Sequence, residues 1–137
     1  MANISRIDVR IATGNRSGAG TNGHIFIGAC GREFVIDSSD DDFERGADRT
    51  YTLGAGGNVS HKEFNDPRNP QLNTGHLTRF PVYLRFEPAG DHADWNLEQV
   101  DITVNPGENQ VKYTTLASGP NLWLGQNYGK MIYLKGT

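Results

Sequence analysis

The chain has 137 residues, enough for one domain with a core and too few for two, so residues 1–137 read as a single domain. Its formal charge of -3 excludes the broad basic field that a nucleic-acid binder needs. No stretch approaches the ~20 apolar residues of a membrane-spanning helix, and the residues from Met1 to Ile4 show no apolar signal-peptide core.

Short runs of alternating apolar residues follow one another along the chain, each bounded by Gly, Asn, Asp or Pro. A period of two marks a half-buried strand with one wet face. Ile7, Val9 and Ile11 form the first run, and Ile25, Ile27 and Ala29 the second. Phe34 with Ile36, then Tyr51 with Leu53, supply two more. Phe80, Val82, Leu84 and Phe86 read as one strand, and Val100, Ile102 and Val104 as another. Val111 with Tyr113, and Ile132 with Leu134, close the series. No window carries a helical period over ten or more residues. About eight strands in a chain of this length predict an all-β fold, a two-sheet antiparallel β-sandwich.

Three details refine that expectation. Between Trp95 and Leu97 on one side and Val100 and Ile102 on the other, the apolar phase slips by one residue. The slip predicts a β-bulge near Glu98 and Gln99. Residues 54–75 are irregular, with Gly56, Gly57, Pro67 and Pro70, and read as a long surface loop, which is uncommon in a compact domain and usually functional or mobile. In the stretch from Asn121 to Gly129, Leu122 and Leu124 are expected to close the sandwich with Trp123 across its open end, the alternative being an exposed docking patch.

Several motifs are set aside on mechanism. Gly18-Ala19-Gly20-Thr21-Asn22-Gly23 satisfies the glycine pattern of dinucleotide-binding folds, but a strand follows it instead of the helix N-terminus that must hold a pyrophosphate. The acidic run from Asp40 has Arg45 where a calcium-binding EF-hand needs its turn glycine. His24, His61, His76 and His92 lack short metal-ligand spacing and read as surface residues. Cys30, the single cysteine, excludes an internal disulfide and reads as a small core residue. Asn3, Asn15 and Asn58 each head an N-x-Ser sequon.

The informative segments are two loops, Ala12 through Asn22 and Asp40 through Asp48. Calcium takes six to eight oxygen ligands at roughly 2.3–2.6 Å from carboxylates, amides and carbonyls. Asn22, Asp41, Asp42 and Glu44, with carbonyls of the glycine-rich loop, are a donor set of that kind.

Ala12-Thr13-Gly14 with Gly18-Ala19-Gly20-Thr21-Asn22, then Asp41-Asp42-Phe43-Glu44-Arg45-Gly46-Ala47-Asp48, then Asp94-Trp95-x-Leu97-x-x-Val100, resemble in this order the PLAT domain of polycystins, lipoxygenases and bacterial alpha-toxin. The resemblance runs from about Ile4 to Val104. It implies an eight-stranded sandwich with no catalytic machinery of its own and calcium-assisted attachment to membrane lipid headgroups or to a partner protein. Carried over by position, the calcium ligands are the backbone of Gly20 and Thr21, the side chain of Asn22, and Asp41, Asp42 and Glu44, with Asp48 at a neighbouring ion or capping the same loop. Phe43 and Trp95 become core anchors. Two departures stand out. Membrane-binding relatives place an aromatic at the tip of the first loop, where this chain has Arg16, Ser17 and Gly18, and the long connection after Gly54 is particular to it.

Two functional classes follow. One is a calcium-binding targeting module, which at affinities on the order of 10⁻⁴–10⁻³ M fills outside cells and stays empty in most cytosols. The other is a metal-independent protein–protein interaction domain, serving as an accessory to a lipid-acting enzyme in one version. Neither is an enzyme, and the sequence leaves the compartment open, with peripheral membrane association compatible with the first.

Overall fold

The computed structural model describes residues 1–90, 93–107, 109–115 and 122–137; His92 and Asn121 lie outside them. The described residues form nine strands: β1 (Arg6–Thr13), β2 (His24–Ala29), β3 (Arg32–Ile36), β4 (Asp48–Gly54), β5 (Tyr83–Glu87), β6 (Trp95–Val104), β7 (Val111–Thr115), β8 (Trp123–Leu124) and β9 (Met131–Gly136). They run in the order β3-β2-β5-β9-β7-β6-β1-β4, with β8 paired to the start of β6, and every pairing is antiparallel.

The path divides into two layers at β9. Its first half pairs with β5 (Tyr133 opposite Tyr83), and its second half with β7 (Leu134 opposite Thr115). One strand thus turns the corner between β3-β2-β5 and β7-β6-β1-β4, and the inward faces of both enclose a single apolar core. Ile7, Val9 and Ile11 alternate with the wet Arg6 and Arg10 and the half-buried Asp8, as a period of two requires.

The phase slip in β6 is a bulge. Ala12 faces Gln99 but the next residue, Thr13, faces Leu97, so Glu98 is left without a partner on β1 and is exposed. The extra residue lets Trp95 and Leu97 enter the core along with Val100, Ile102 and Val104. One strand differs from the sequence expectation. Phe80 lies outside β5 and is 46% exposed, and the strand begins only at Tyr83. Pro81 between Phe80 and Val82 offers no N–H to a ladder, so regular pairing cannot run through it.

The connection between β4 and β5 is long and irregular as expected, and it is anchored to the core. Val59, Leu72 and Leu77 are buried in the core, and two single-turn 3-10 helices (Lys62–Phe64 and Thr74–His76) lie within it. It also closes both free edges of the sheet. On β4, Asn58 Oδ1 accepts from Thr52 N–H at 2.8 Å, while its backbone N–H donates to Thr52 O at 3.1 Å. On β3, Asn65, 3% exposed, accepts from Val35 N–H through Oδ1 at 2.9 Å and donates to the carbonyls of Ser60 and His61. An open edge is a template for pairing with another chain, and two asparagine side chains occupy these.

Trp95 and Phe43 are core residues. The Trp95 ring is fully buried, meets Phe43 at 5.7 Å and Phe86 at 5.6 Å between centroids, and donates from Nε1 to Thr13 Oγ1 at 3.0 Å. Leu124 is buried opposite Trp95, Leu122 packs half-buried on the core, and Trp123 stacks on Tyr128. Cys30 is buried in the β2–β3 turn at a φ of 57°.

Candidate metal centre

Strands β1 and β2 carry the first polar loop between them, and β3 and β4 the second, to the same end of the sandwich. The first loop leaves β1 and folds onto the second by backbone contact: Thr21 N–H donates to Phe43 O at 3.1 Å. Behind it, Gly20 sits so close that a Cβ would lie 2.9 Å from Arg45 N and 3.2 Å from Phe43 O. Any larger residue would push the loops apart. Phe43, buried at 5% exposure and at a φ of 62°, anchors the second loop, with Asp42 turned inward before it and Asp41 and Glu44 exposed.

The convergence creates an open pocket of about 230 Å³ lined by Thr21, Asn22, His24, Asp37, Asp40, Asp41 and Asp42 among others. Of the residues expected from sequence, it brings together Thr21, Asn22, Asp41 and Asp42, with Gly20 and Glu44 meeting through their backbones just behind. Asp48 is placed elsewhere. It stands at the start of β4 on the outer face, where Arg10 grips it through Nη2 at 2.7 Å and Nε at 3.0 Å. Both of its oxygens are thereby engaged in a cross-strand ion pair.

Asp42 has a structural task as well. Its side chain is nearly buried, Oδ1 accepts from Ser38 Oγ at 2.7 Å and Tyr51 Oη at 2.8 Å, and Oδ2 accepts from Ser38 N–H at 2.8 Å. Arg49 Nη1 approaches Oδ1 at 3.6 Å and bonds Asp40 at 3.2 Å. Oδ1 has no lone pair left for a cation, whereas Oδ2 has one. The Tyr51 hydroxyl is pushed far above the ordinary phenol range, first by burial and then by the Asp42 carboxylate that accepts its proton.

Asp37 is the acid that sequence reading missed. It sits at the rim of the pocket, where Ser38 N–H is shared between Asp37 Oδ1 at 2.9 Å and Asp42 Oδ2 at 2.8 Å. Partial burial and the adjacent Asp42 charge raise its carboxyl above the usual range, against the opposing pull of the Ser38 N–H and His24. Its position at the end of an apolar alternation, Phe34-Val35-Ile36-Asp37, was the available signal.

The donor set suits a hard cation. It is almost entirely oxygen, and two carboxylates crowd one N–H in a way that positive charge would relieve. Among the described residues, no three His, Cys, Asp or Glu side chains are gathered so as to hold a metal by themselves. Amide and carbonyl oxygens would therefore have to complete the shell.

No family model and no curated protein matches the sequence. Solved structures do. Alpha-toxin of Clostridium absonum superposes on 98% of this chain with a TM-score of 0.64 at 20% identity. The chain has a PLAT-like fold. A coral 8R-lipoxygenase, whose structure is described as showing calcium activation via a C2-like domain, matches 96% of the chain with a TM-score of 0.63 at 22% identity. Alpha-toxin from an avian strain of Clostridium perfringens matches 97% with a TM-score of 0.62 at 18% identity. The PLAT-like chain spans only 32% of either toxin and 17% of the coral lipoxygenase, so the likeness concerns a minor part of each larger protein.

Proposed function

We propose that this PLAT-like domain is a non-catalytic docking module that holds calcium between its two polar loops and attaches to a lipid surface or a partner protein. The observation that carries the reading is the backbone contact of Thr21 with Phe43, which closes two loops around an oxygen-lined pocket at one end of the sandwich. The ion would be held by Asn22, Asp41, Glu44, Asp42 through Oδ2, and the backbone of Gly20 and Thr21, with Asp37 reinforcing the charge. Asp48 serves instead to join β4 to β1 through Arg10. Calcium supplies charge neutralisation here, turning an acidic end that repels anionic surfaces into one that approaches them. The coral lipoxygenase supports the reading by its calcium activation, and the small share of each enzyme that the chain matches supports a non-catalytic role. None of the described helices is long and apolar enough to cross a membrane, in keeping with peripheral attachment.

Calorimetric titration with calcium, paired with melting curves in calcium and in chelator, tests this. A ligand of the folded state stabilises by about 1.4 kcal/mol at a tenfold excess over its dissociation constant. The expected result is a raised melting temperature that Asn22→Ala with Asp41→Ala abolishes; both side chains are exposed, so the substitutions spare the core. No heat and no shift at millimolar calcium would overturn the metal assignment.

A further inference from the structure

The opposite end of the sandwich carries a different chemistry. Of the 6 phenylalanines, the two that are exposed both belong to the connection between β4 and β5: Phe64 at 70% and Phe80 at 46%. They are not scattered. Both flank the β2–β3 turn, Phe80 with its ring 3.3 Å from where a Gly31 Cβ would lie, and Phe64 with its carbonyl accepting from Arg32 Nη2 at 3.2 Å. Arg32 also donates to the carbonyls of Asp66 at 2.9 Å and Pro70 at 3.3 Å. One guanidinium therefore holds the loop in shape, and the outward placement of Phe64 is part of an ordered turn, with the His61 ring 6.3 Å away.

Charge changes sign between the two ends. Residues 37–48 hold Asp37, Asp40, Asp41, Asp42, Glu44 and Asp48 against Arg45. Residues 61–80 hold Lys62, Arg68 and Arg79 against Glu63 and Asp66, and Arg32 adds a further cation from β3. Arg68 is paired with Asp66 at 2.9 Å, while Lys62 and Arg79 form no ion pair among the described residues. Exposed aromatics beside free cations, on projecting turns, match a deformable surface with anionic headgroups over an apolar interior.

We propose that Phe64 and Phe80, flanked by Lys62 and Arg79, form a metal-independent docking surface for anionic lipid on the connection between β4 and β5, outside the acidic pocket. The aromatic rings enter the headgroup–acyl boundary and the cations meet the phosphates. Charge complementarity selects lipid over a neutral surface. This inference stands apart from the calcium reading, since none of its four residues lines the acidic pocket among the described residues.

Co-sedimentation of the chain with vesicles of phosphatidylcholine, alone or mixed with phosphatidylserine, tests it in chelator, with a parallel series in calcium. Binding to the mixed vesicles is expected, weakened by added salt and about fivefold by each of Lys62→Gln and Arg79→Gln. Phe64→Ser with Phe80→Ser is expected to weaken it by about tenfold or more without lowering the melting temperature. Should that double variant fold poorly, the glutamine variants on exposed side chains keep the test intact. Equal binding to neutral vesicles, or indifference to all these substitutions, would overturn the inference. So would binding that requires calcium and survives loss of both phenylalanines, which would place the contact at the acidic end and leave the calcium reading standing. A chain that ignores vesicles but binds polyglutamate would identify an acidic protein partner in place of lipid.

Discussion

The two ends of this sandwich use opposite means to shape loops of no regular structure. At the acidic end, aromatic rings lie inside and charges outside: Phe43 and Trp95 anchor from below, and Thr21 and Phe43 join the loops by their backbones. At the other end, polar side chains lie inside and aromatic rings outside. Asn65 and Arg32 satisfy buried or half-buried backbone groups, and Phe64 and Phe80 face solvent. A loop needs its backbone polar groups satisfied, and either arrangement does so. What differs is the surface left over, one acidic and one with exposed aromatic rings and cations.

The comparison breaks most sharply at Trp95. Truncating a fully buried tryptophan costs roughly 3–5 kcal/mol, and Trp95→Ala also frees Thr13 and the Phe43 ring. Urea denaturation should show a loss of that size. At Asp42 the effect is smaller but local. Asp42→Ala strands the buried Tyr51 hydroxyl and leaves the Ser38 N–H to Asp37 alone, a cost of about 1–3 kcal/mol, and lowers thermal stability even in chelator, which removal of a mere metal ligand would not do.

Asn65→Ala is the matching test at the other end. It leaves the Val35 N–H without its acceptor, removes one donor from each of the Ser60 and His61 carbonyls, and reopens the β3 edge, for about 1–2 kcal/mol. Light scattering should then detect self-association at concentrations where the parent chain stays monodisperse.

The smallest effect is in pH. Asp37 has its folded carboxyl raised above its unfolded value by partial burial and by Asp42. The folded state therefore holds its proton more tightly. That contribution is full below the unfolded carboxyl range and is lost as pH rises through the raised value of Asp37. Asp37→Asn should flatten this part of the stability–pH curve, and saturating calcium should reduce it likewise if the ion neutralises the pair.

Much of the architecture was legible because strand formation is read locally. Alternation places one side chain in two on each face, so Ile7, Val9 and Ile11 announce their burial without reference to anything distant. The bulge at Glu98 was legible for the same reason, since an extra residue must shift the apolar phase. Phe80 misled because alternation does not register the missing N–H of Pro81. The loop after Gly54 was legible as long and irregular, but its internal order was not, because that order comes from contacts between residues far apart in the chain, Asn65 with Val35 and Arg32 with Pro70. In the acidic pocket, the residue types were evident but their employment was not. Asp42 and Asp48 look alike in sequence, yet one is held by Ser38 and Tyr51 inside the loop and the other by Arg10 on an outer face.

By itself, the sequence determined that this chain is all-β, where its strands alternate, and which residue types its loops offer, because each of these depends on neighbours a few positions away. Only the tertiary structure decided which carboxylates converge, which are already committed, how the edges are closed, and that acidic and cationic–aromatic loops stand at opposite ends. Those outcomes depend on distances between residues remote in the chain, and such distances exist only once the strands have paired.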